Sequence, residues 1–280
     1  MESRMSLGLA PKRRFSQNFL TDQRTAQKIA DALQIRNGDH VLEIGPGTGA
    51  LTKWLAVSNA ASIVAVDLDE RAIARVSSEP WVDHKRMVFK LQDVLQVRLS
   101  QVFPDVTPSQ RCVIGNIPYA ITSDILFWLF DQRADMRTSV IMMQREVARR
   151  CVAQPGTKEY GILSIASWYA STPKLLFQVQ PGSFFPRPDV TSAVVRFEFR
   201  DHSPLDIEFE PFMAFVRAAF SQRRKVLSNA LASWWSGTAA ELRTTVAGVD
   251  LSTARAEQLT PQQLGAMCRE LLARKGADQA

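Results

Sequence analysis

Histidine, cysteine and tyrosine each occur only three times in this 280-residue chain. His40, His84 and His202 are isolated from one another, so no cluster offers a metal site. Cys112, Cys151 and Cys268 are odd in number, far apart and set in apolar contexts. That argues against a disulfide framework and for reduced thiols in a cytoplasm. No apolar run approaches the ~18 residues that a membrane helix needs. The opening Met1-Glu2-Ser3-Arg4 lacks the basic-then-apolar pattern of a signal peptide. There is no internal repeat. Charge of one sign is not in large excess: the formal net charge is +6, enough to make nucleic acid the first partner to consider. A hydrophobic content of 46% is that of a globular chain, long enough for one large domain and a small one.

The most informative stretch is Gly115-Asn116-Ile117-Pro118-Tyr119. It follows Cys112-Val113-Ile114, a short apolar run that reads as a buried strand. Strand carboxyl ends are where α/β sheets place their ligands. Each residue suits a flat base that carries an exocyclic amine. The Asn116 side-chain carbonyl can accept an N–H without adding charge. Pro118 stiffens the turn. The Ile117 carbonyl offers a second acceptor, and Tyr119 a face for stacking. The plainer reading, a strand-ending turn with a capping Asn and a packed Tyr, fits these five residues about as well. The stretch resembles the Asn/Asp-Pro-Pro-Tyr motif of enzymes that methylate amino groups on bases.

Upstream, residues 1–11 read as disordered. Lys12-Arg13-Arg14 precedes Phe15-Ser16-Gln17-Asn18-Phe19-Leu20, whose two aromatics suggest a docked segment. Thr21 is placed to cap a helix through about Leu33. His40–Ile44 reads as a strand, Gly45-Pro46-Gly47-Thr48-Gly49 as a loop, and about Ala50–Val57 as a helix. A dinucleotide fingerprint needs glycine where Ala50 stands. The form Glu43-x-Gly45-x-Gly47-x-Gly49 is that of S-adenosylmethionine sites. The strand Ser62–Val66 ends in Asp67, about twenty residues past the loop, where a carboxylate accepts from ribose hydroxyls. Asp69 reads as a helix N-cap. Asp93, after the strand Met87–Leu91, is a candidate acceptor for an adenine amine, although a loop aspartate is common.

Further on, Arg111–Ile114 and Thr138–Met143 read as strands and about Ile121–Phe130 as a helix. Arg145, Arg149 and Arg150 share a helix face by spacing. Gly161–Tyr169 reads as a helix. Alternation in Leu175–Val179 and Ala193–Phe199 predicts an antiparallel pair added to the parallel strands. Between them a proline-rich loop presents Phe184 and Phe185, for which core packing is the competing reading. Composition shifts near Ser203-Pro204. Beyond it the patterns are helical: about Pro211–Phe220, Val226–Trp234, Ala239–Val246 and Pro261–Ala273. Ser221-Gln222-Arg223-Arg224-Lys225 forms a basic turn suited to phosphate. The expected domains are therefore 1–202 and 203–280.

Together the segments Phe15–Leu20, Glu43–Thr52, Asp67–Glu70, Gln92–Leu95, Gly115–Tyr119, Phe184–Phe197 and Phe220–Leu231 resemble the ribosomal RNA adenine N6,N6-dimethyltransferases over about residues 12–270. Within that family the likeness is to the bacterial small-subunit enzymes. It implies a Rossmann-like methyltransferase sheet with a small all-helical C-terminal domain. It implies use of S-adenosylmethionine to dimethylate two adjacent adenosines in a hairpin loop near the 3′ end of 16S RNA, during small-subunit biogenesis. Carried over by residue, Asn18, Leu20, Gly45, Gly47, Asp67, Asp93 and Asn116 hold the cofactor. Asn116 and Ile117 hold the amine, while Tyr119 and Phe184 sandwich the adenine. Arg13, Arg14, Arg145, Arg149, Arg223, Arg224 and Lys225 contact RNA. Asp67 departs from the family's more usual Glu, Ser16 from Gly and Ala120 from Asn.

Close relatives methylate large-subunit RNA and confer antibiotic resistance. Glu43-Ile44-Gly45-Pro46-Gly47 and the basic turn favour the small-subunit type. A ribosome-assembly factor acting mainly by binding is the rival of a different class, since it needs the same basic surfaces. A nicotinamide dehydrogenase is disfavoured by Ala50. No transit-like leader precedes Lys12. A cytoplasmic monomer without a metal, acting on small-subunit RNA or the immature subunit, is expected.

Overall fold

Runs such as Ile63-Val64-Ala65-Val66 and Cys112-Val113-Ile114 have no polar face to give to water, so they suit strands covered on both sides. The computed structural model, which describes residues 18–238 and 240–277, buries both runs in the centre of a sheet. In chain order the elements are β1 (Phe19–Leu20), α1 (Gln23–Ala32), β2 (His40–Ile44), α2 (Thr52–Ala56), β3 (Ser62–Asp67), α3 (Glu70–Ser77), β4 (Met87–Leu91), α4 (Leu99–Val102), β5 (Arg111–Asn116) and α5 (Thr122–Asp131). Then come β6 (Thr138–Gln144), α6 (Arg145–Cys151), α7 (Ile162–Ala170), β7 (Ser171–Val179), β8 (Phe184–Phe185), β9 (Ser192–Phe199), α8 (Phe209–Phe220), α9 (Leu227–Ala230), β10 (Thr245–Val246), β11 (Val249–Asp250) and α10 (Pro261–Ala277).

The main sheet has the order β4-β3-β2-β5-β6-β9-β7. The first five strands in that order are parallel, and β9 and β7 form the expected antiparallel addition. From β2 the chain builds outward through β3 and β4, then returns to place β5 on the other side. That reversal opens a crevice beyond the carboxyl ends of β2 and β5, the place where open α/β sheets bind ligands. The register sets Gly115 beside Ile44. A Cβ at Gly115 would lie 2.9 Å from the Ile44 carbonyl oxygen, so only glycine fits this close approach.

A separate two-stranded ladder pairs β1 with β8, setting Phe19 opposite Phe185 and Leu20 opposite Phe184. Thr21 serves this ladder rather than capping the helix. Its backbone N–H and hydroxyl both donate to the Ser183 carbonyl, at 2.8 and 3.1 Å. Asp22 is the N-cap of α1 instead, with its carboxylate accepting from the N–H groups of Arg24 and Thr25. An ionised acceptor one residue later does the capping better than a hydroxyl already in use. Asp69 caps α3 as expected, accepting from Arg71 N–H.

Residues up to Ala148, with Ser171–Arg200, form one compact unit; Arg149–Ala170, with the chain from Asp201 onward, form a second. The sequence boundary at 202 leaves 149–170 in the first part, whereas the structure groups them with the second. Two tyrosines account for this. Tyr160 donates its hydroxyl to the Leu259 carbonyl at 2.8 Å. Tyr169 stacks on Phe212, centroids 5.7 Å apart, and donates to the Ile207 carbonyl at 2.7 Å.

The second unit is mainly helical, with one correction. Where a helix is expected over Ala239–Val246, the chain instead enters a hairpin of β10 and β11. Ala239 lies outside the described residues. The turn residues Ala247 and Gly248 have φ of 49° and 78°. Positive φ at both central positions matches the twist of a two-residue hairpin and cannot continue a helix. The expected helix over Val226–Trp234 is shortened to α9 followed by a 3-10 turn, Leu231–Ser233.

Candidate active site

The crevice is a cavity of about 240 Å³ within the first unit. Asn18, Leu20, Gly45, Gly47, Asp67, Asp93, Asn116, Ile117 and Tyr119, all singled out from sequence, line it. Phe184 does not line it. Phe184 is 5% exposed and packs in the hydrophobic core with Leu20 and Val179. The exposed aromatic of the pair is Phe185, at 47%. The stacking face expected of Phe184 is therefore turned to the core, because alternate strand residues face opposite ways.

The loop after β2 turns on glycine. Gly45 and Gly47 have φ of 68° and 55°, a region that L side chains rarely adopt. A Cβ on Gly47 would lie 3.3 Å from a ring carbon of Phe19. The loop thus runs as bare backbone along the cavity, with β1 laid against it. Helix α2 starts at Thr52, slightly later than the sequence suggests.

Two carboxyl groups sit at this loop. Asp67 accepts from Asp69 N–H at 2.9 Å, and the backbone N–H groups of Gly47 and Leu68 lie near enough to favour its charged form. Burial raises its pKa above the usual carboxylate value, against the lowering effect of those donors. Glu43 is 1% exposed and lines the same cavity. Its Oε1 accepts from the Thr52 hydroxyl at 3.1 Å, and its Oε2 is buried without a hydrogen-bond partner. Burial, aided by the nearby Asp67 charge, pushes its carboxyl up to about 8. In the sequence reading Glu43 is only a letter of the glycine motif. An acid inside the apolar run Val41-Leu42-Glu43-Ile44 is the signal that marks it.

At the end of β5 the Asn116 amide is held in one orientation. Its Nδ2 donates to the Asn18 carbonyl at 3.2 Å. A carbonyl can only accept, so Nδ2 must be the atom facing it. Oδ1 is left with no hydrogen-bond partner among the described residues. Tyr119 is half-buried, and its hydroxyl lies 2.7 Å from Ser192 Oγ on β9. Burial raises its pKa. Asp93 accepts from Leu95 N–H at 3.0 Å, capping a short turn as loop aspartates do.

The basic residues divide. Arg13 and Arg14 lie outside the described residues. Arg145 and Arg149 are exposed on α6. In the turn after α8, Arg224 and Lys225 are exposed. Arg223 is engaged. It pairs with Glu257 at 2.7 Å and donates to the carbonyls of Lys158 and Thr157, at 2.7 and 3.3 Å. Its guanidinium holds chain together rather than standing open to a phosphate. No helix among the described residues is long and apolar enough to cross a membrane.

The sequence matches the family described as Ribosomal RNA adenine dimethylase over residues 8–271. The Ribosomal RNA small subunit methyltransferase A of Salinibacter ruber is 40% identical over 270 residues, covering 96% of this chain and 87% of the relative. The protein of the same name from Prosthecochloris aestuarii is 42% identical, covering 80% and 82%. Among solved structures, a dimethyladenosine transferase from Plasmodium falciparum superposes with a TM-score of 0.75 at 24% identity, covering 93% of this chain and 98% of that one. The 23S rRNA methyltransferase ErmE superposes at 0.66 with 26% identity, covering 91% and 99%.

Proposed function

This chain belongs to the ribosomal RNA adenine dimethylase family, and we propose that its cavity binds S-adenosylmethionine beside an adenine of small-subunit ribosomal RNA. It is a methyltransferase that places two methyl groups on the N6 amine of adenosine. The observation that carries the site assignment is the fixed amide of Asn116, whose free Oδ1 shares a cavity with the glycine loop and Asp67.

The residues fit such a cofactor. The bare backbone at Gly45 and Gly47 gives a nucleoside room to approach, and a Cβ on Gly47 would meet Phe19. Asp67 is placed to accept from ribose hydroxyls and Asp93 from an adenine amine. Glu43 Oε2, buried without a partner in the same cavity, is the polar atom left to meet the amino-acid part. When bound, S-adenosylmethionine supplies a methyl group that already carries its leaving group.

The chain's own work is positioning. An exocyclic amine on a purine is a weak nucleophile because its lone pair is delocalised into the ring. Asn116 Oδ1, with the Ile117 carbonyl as a second acceptor, draws the amine hydrogens and favours a pyramidal nitrogen. Tyr119, anchored by Ser192, gives the ring a face to lie on. Orientation of this kind can lower a barrier by ~7–11 kcal/mol, so no strong general base is required. The first unit holds this machinery. Arg145, with Arg149, Arg224 and Lys225 of the second unit, serves RNA phosphates. The reaction belongs to the cytoplasm, where small subunits are built.

Methyl transfer to small-subunit particles lacking the modification, with product bases mapped, tests the reading. Two dimethylated adjacent adenosines in small-subunit RNA are expected. Methylation confined to large-subunit RNA, or binding without transfer, would replace it.

A further inference from the structure

The segment from Phe185 to Ser192 is tied to the active site at both ends, yet its exposed side chains have no role in the chemistry above. At its start, β8 pairs with β1 so that Phe185 stands directly opposite Phe19. Residues opposite each other in an antiparallel pair face the same side. Phe19 and Leu20 both line the cavity, so the ladder runs along its edge; Phe184 faces the core, and Phe185, its alternate, is exposed. At its end, Ser192 holds the Tyr119 hydroxyl and the Thr191 carbonyl accepts from Arg145 N–H at 3.0 Å. Between these anchors Arg187 is exposed, flanked by Pro186 and Pro188, and has no ion-pair partner among the described residues.

Phe185 is 47% exposed on a loop stiffened by two prolines, two residues before the exposed Arg187. Packing does not explain it, because its neighbour Phe184 already fills the core position. A stacking face next to a cation is the arrangement that holds an unpaired nucleotide without reading its sequence. The chain's net charge of +6 suits the same ligand.

We propose that Phe185 and Arg187 form a docking subsite for the unpaired nucleotide next to the reacting adenosine, Phe185 stacking on its base and Arg187 meeting its phosphate. The subsite rests on the RNA reading given above and adds to it a second grip on the strand. Tyr119 takes the reacting base. Phe185 takes its neighbour and so fixes where along the strand the reacting base leaves the stack. Two adjacent target adenosines could then exchange places between the two positions without release.

The test uses the full chain and small-subunit particles with unmodified RNA, under single-turnover and steady-state conditions. Phe185→Ala should raise KM for the particle by about fivefold to a hundredfold, the range of one lost base stack. S-adenosylmethionine affinity by calorimetry should stay at the wild-type value, which also shows that the variant is folded. Phe185→Trp should restore KM. Arg187→Ala should raise KM and reduce its salt dependence by about one phosphate contact. Particles with an abasic nucleotide beside the target adenosines should show the Phe185→Ala penalty removed. A Phe185→Ala variant with wild-type KM, or one whose penalty is the same on intact and abasic RNA, overturns the subsite while leaving the methyltransferase reading in place. Failure of the wild-type chain to methylate any particle overturns that reading and this inference with it.

Discussion

The Thr52 hydroxyl donates to Glu43 Oε1 at 3.1 Å, and the other oxygen of that carboxyl is buried without a partner. One donor is too few to keep a fully buried carboxylate ionised. Burial therefore dominates, and the group holds its proton up to about pH 8. A protonated acid at the strand end adds no fixed negative charge beside Asp67, which lies close enough to raise it further.

This has a measurable sign. The folded pKa is about 8 against an ordinary value of 4.5. The stabilising contribution is thus complete below 4.5 and is lost as pH rises through about 8. A tenfold change in proton affinity is worth about 1.4 kcal/mol, so the loss amounts to a few kcal/mol. Glu43→Gln carries no such dependence. Its melting temperature relative to wild type should rise between about pH 5 and pH 9 and level off above. A difference independent of pH would mean that Glu43 is ionised throughout.

Asp67→Ala should weaken S-adenosylmethionine binding by roughly 1.5–3 kcal/mol, the value of hydrogen bonds to a charged group. Asp67 also receives the Asp69 N–H, so the loop needs a control. Asp67→Asn keeps an acceptor for that donor. It should bind the cofactor at intermediate affinity. Calorimetry that finds wild-type affinity in folded Asp67→Ala would remove Asp67 from the cofactor site.

The turn after α8 should separate into two kinds of residue. Arg224→Ala with Lys225→Ala should reduce the log–log salt slope of RNA binding by about 0.7–0.9 per residue, with little change in stability. Arg223→Ala should instead lower the melting temperature, since it breaks the pair with Glu257 and bonds to two carbonyls. An unchanged salt slope in the double variant would make that turn an ordinary solvated surface.

Much of the fold is legible because the central strands have no amphipathic ambiguity. His40–Ile44 falls within the bounds that its apolar run suggests. The glycine loop and Asn116 are legible because backbone freedom and strand ends are local properties. What periodicity misses is the partner. Alternation sets Phe184 and Phe185 on opposite faces, but only the packing of Phe184 with Leu20 and Val179 shows which faces the core. Arg223 reads as a free cation until Glu257, distant in sequence, comes beside it. Ala239–Val246 carries a helical pattern that the Ala247-Gly248 turn overrides. Glu43 hides for another reason: its value lies in an unpaired oxygen, which no spacing reveals.

In the proposed reading Asn116 and Tyr119 act on the base and not on RNA affinity. Single-turnover methylation of unmodified small-subunit particles, with mono- and dimethyl products resolved, tests this against RNA binding at matched salt. Phosphate contacts carry most nonspecific affinity, so Asn116→Ala and Tyr119→Ala should both bind RNA nearly as tightly as wild type. Both should transfer methyl groups far more slowly. Asn116→Ala should lose the first methylation most, because the unmodified amine has two hydrogens to place. Tyr119→Ala should slow both steps alike. Asn116→Asp should be no better than Ala, since a carboxylate cannot donate to the Asn18 carbonyl that fixes the amide. A wild-type methylation rate in Asn116→Ala would contradict these roles and leave Gly115–Tyr119 as a strand-ending turn.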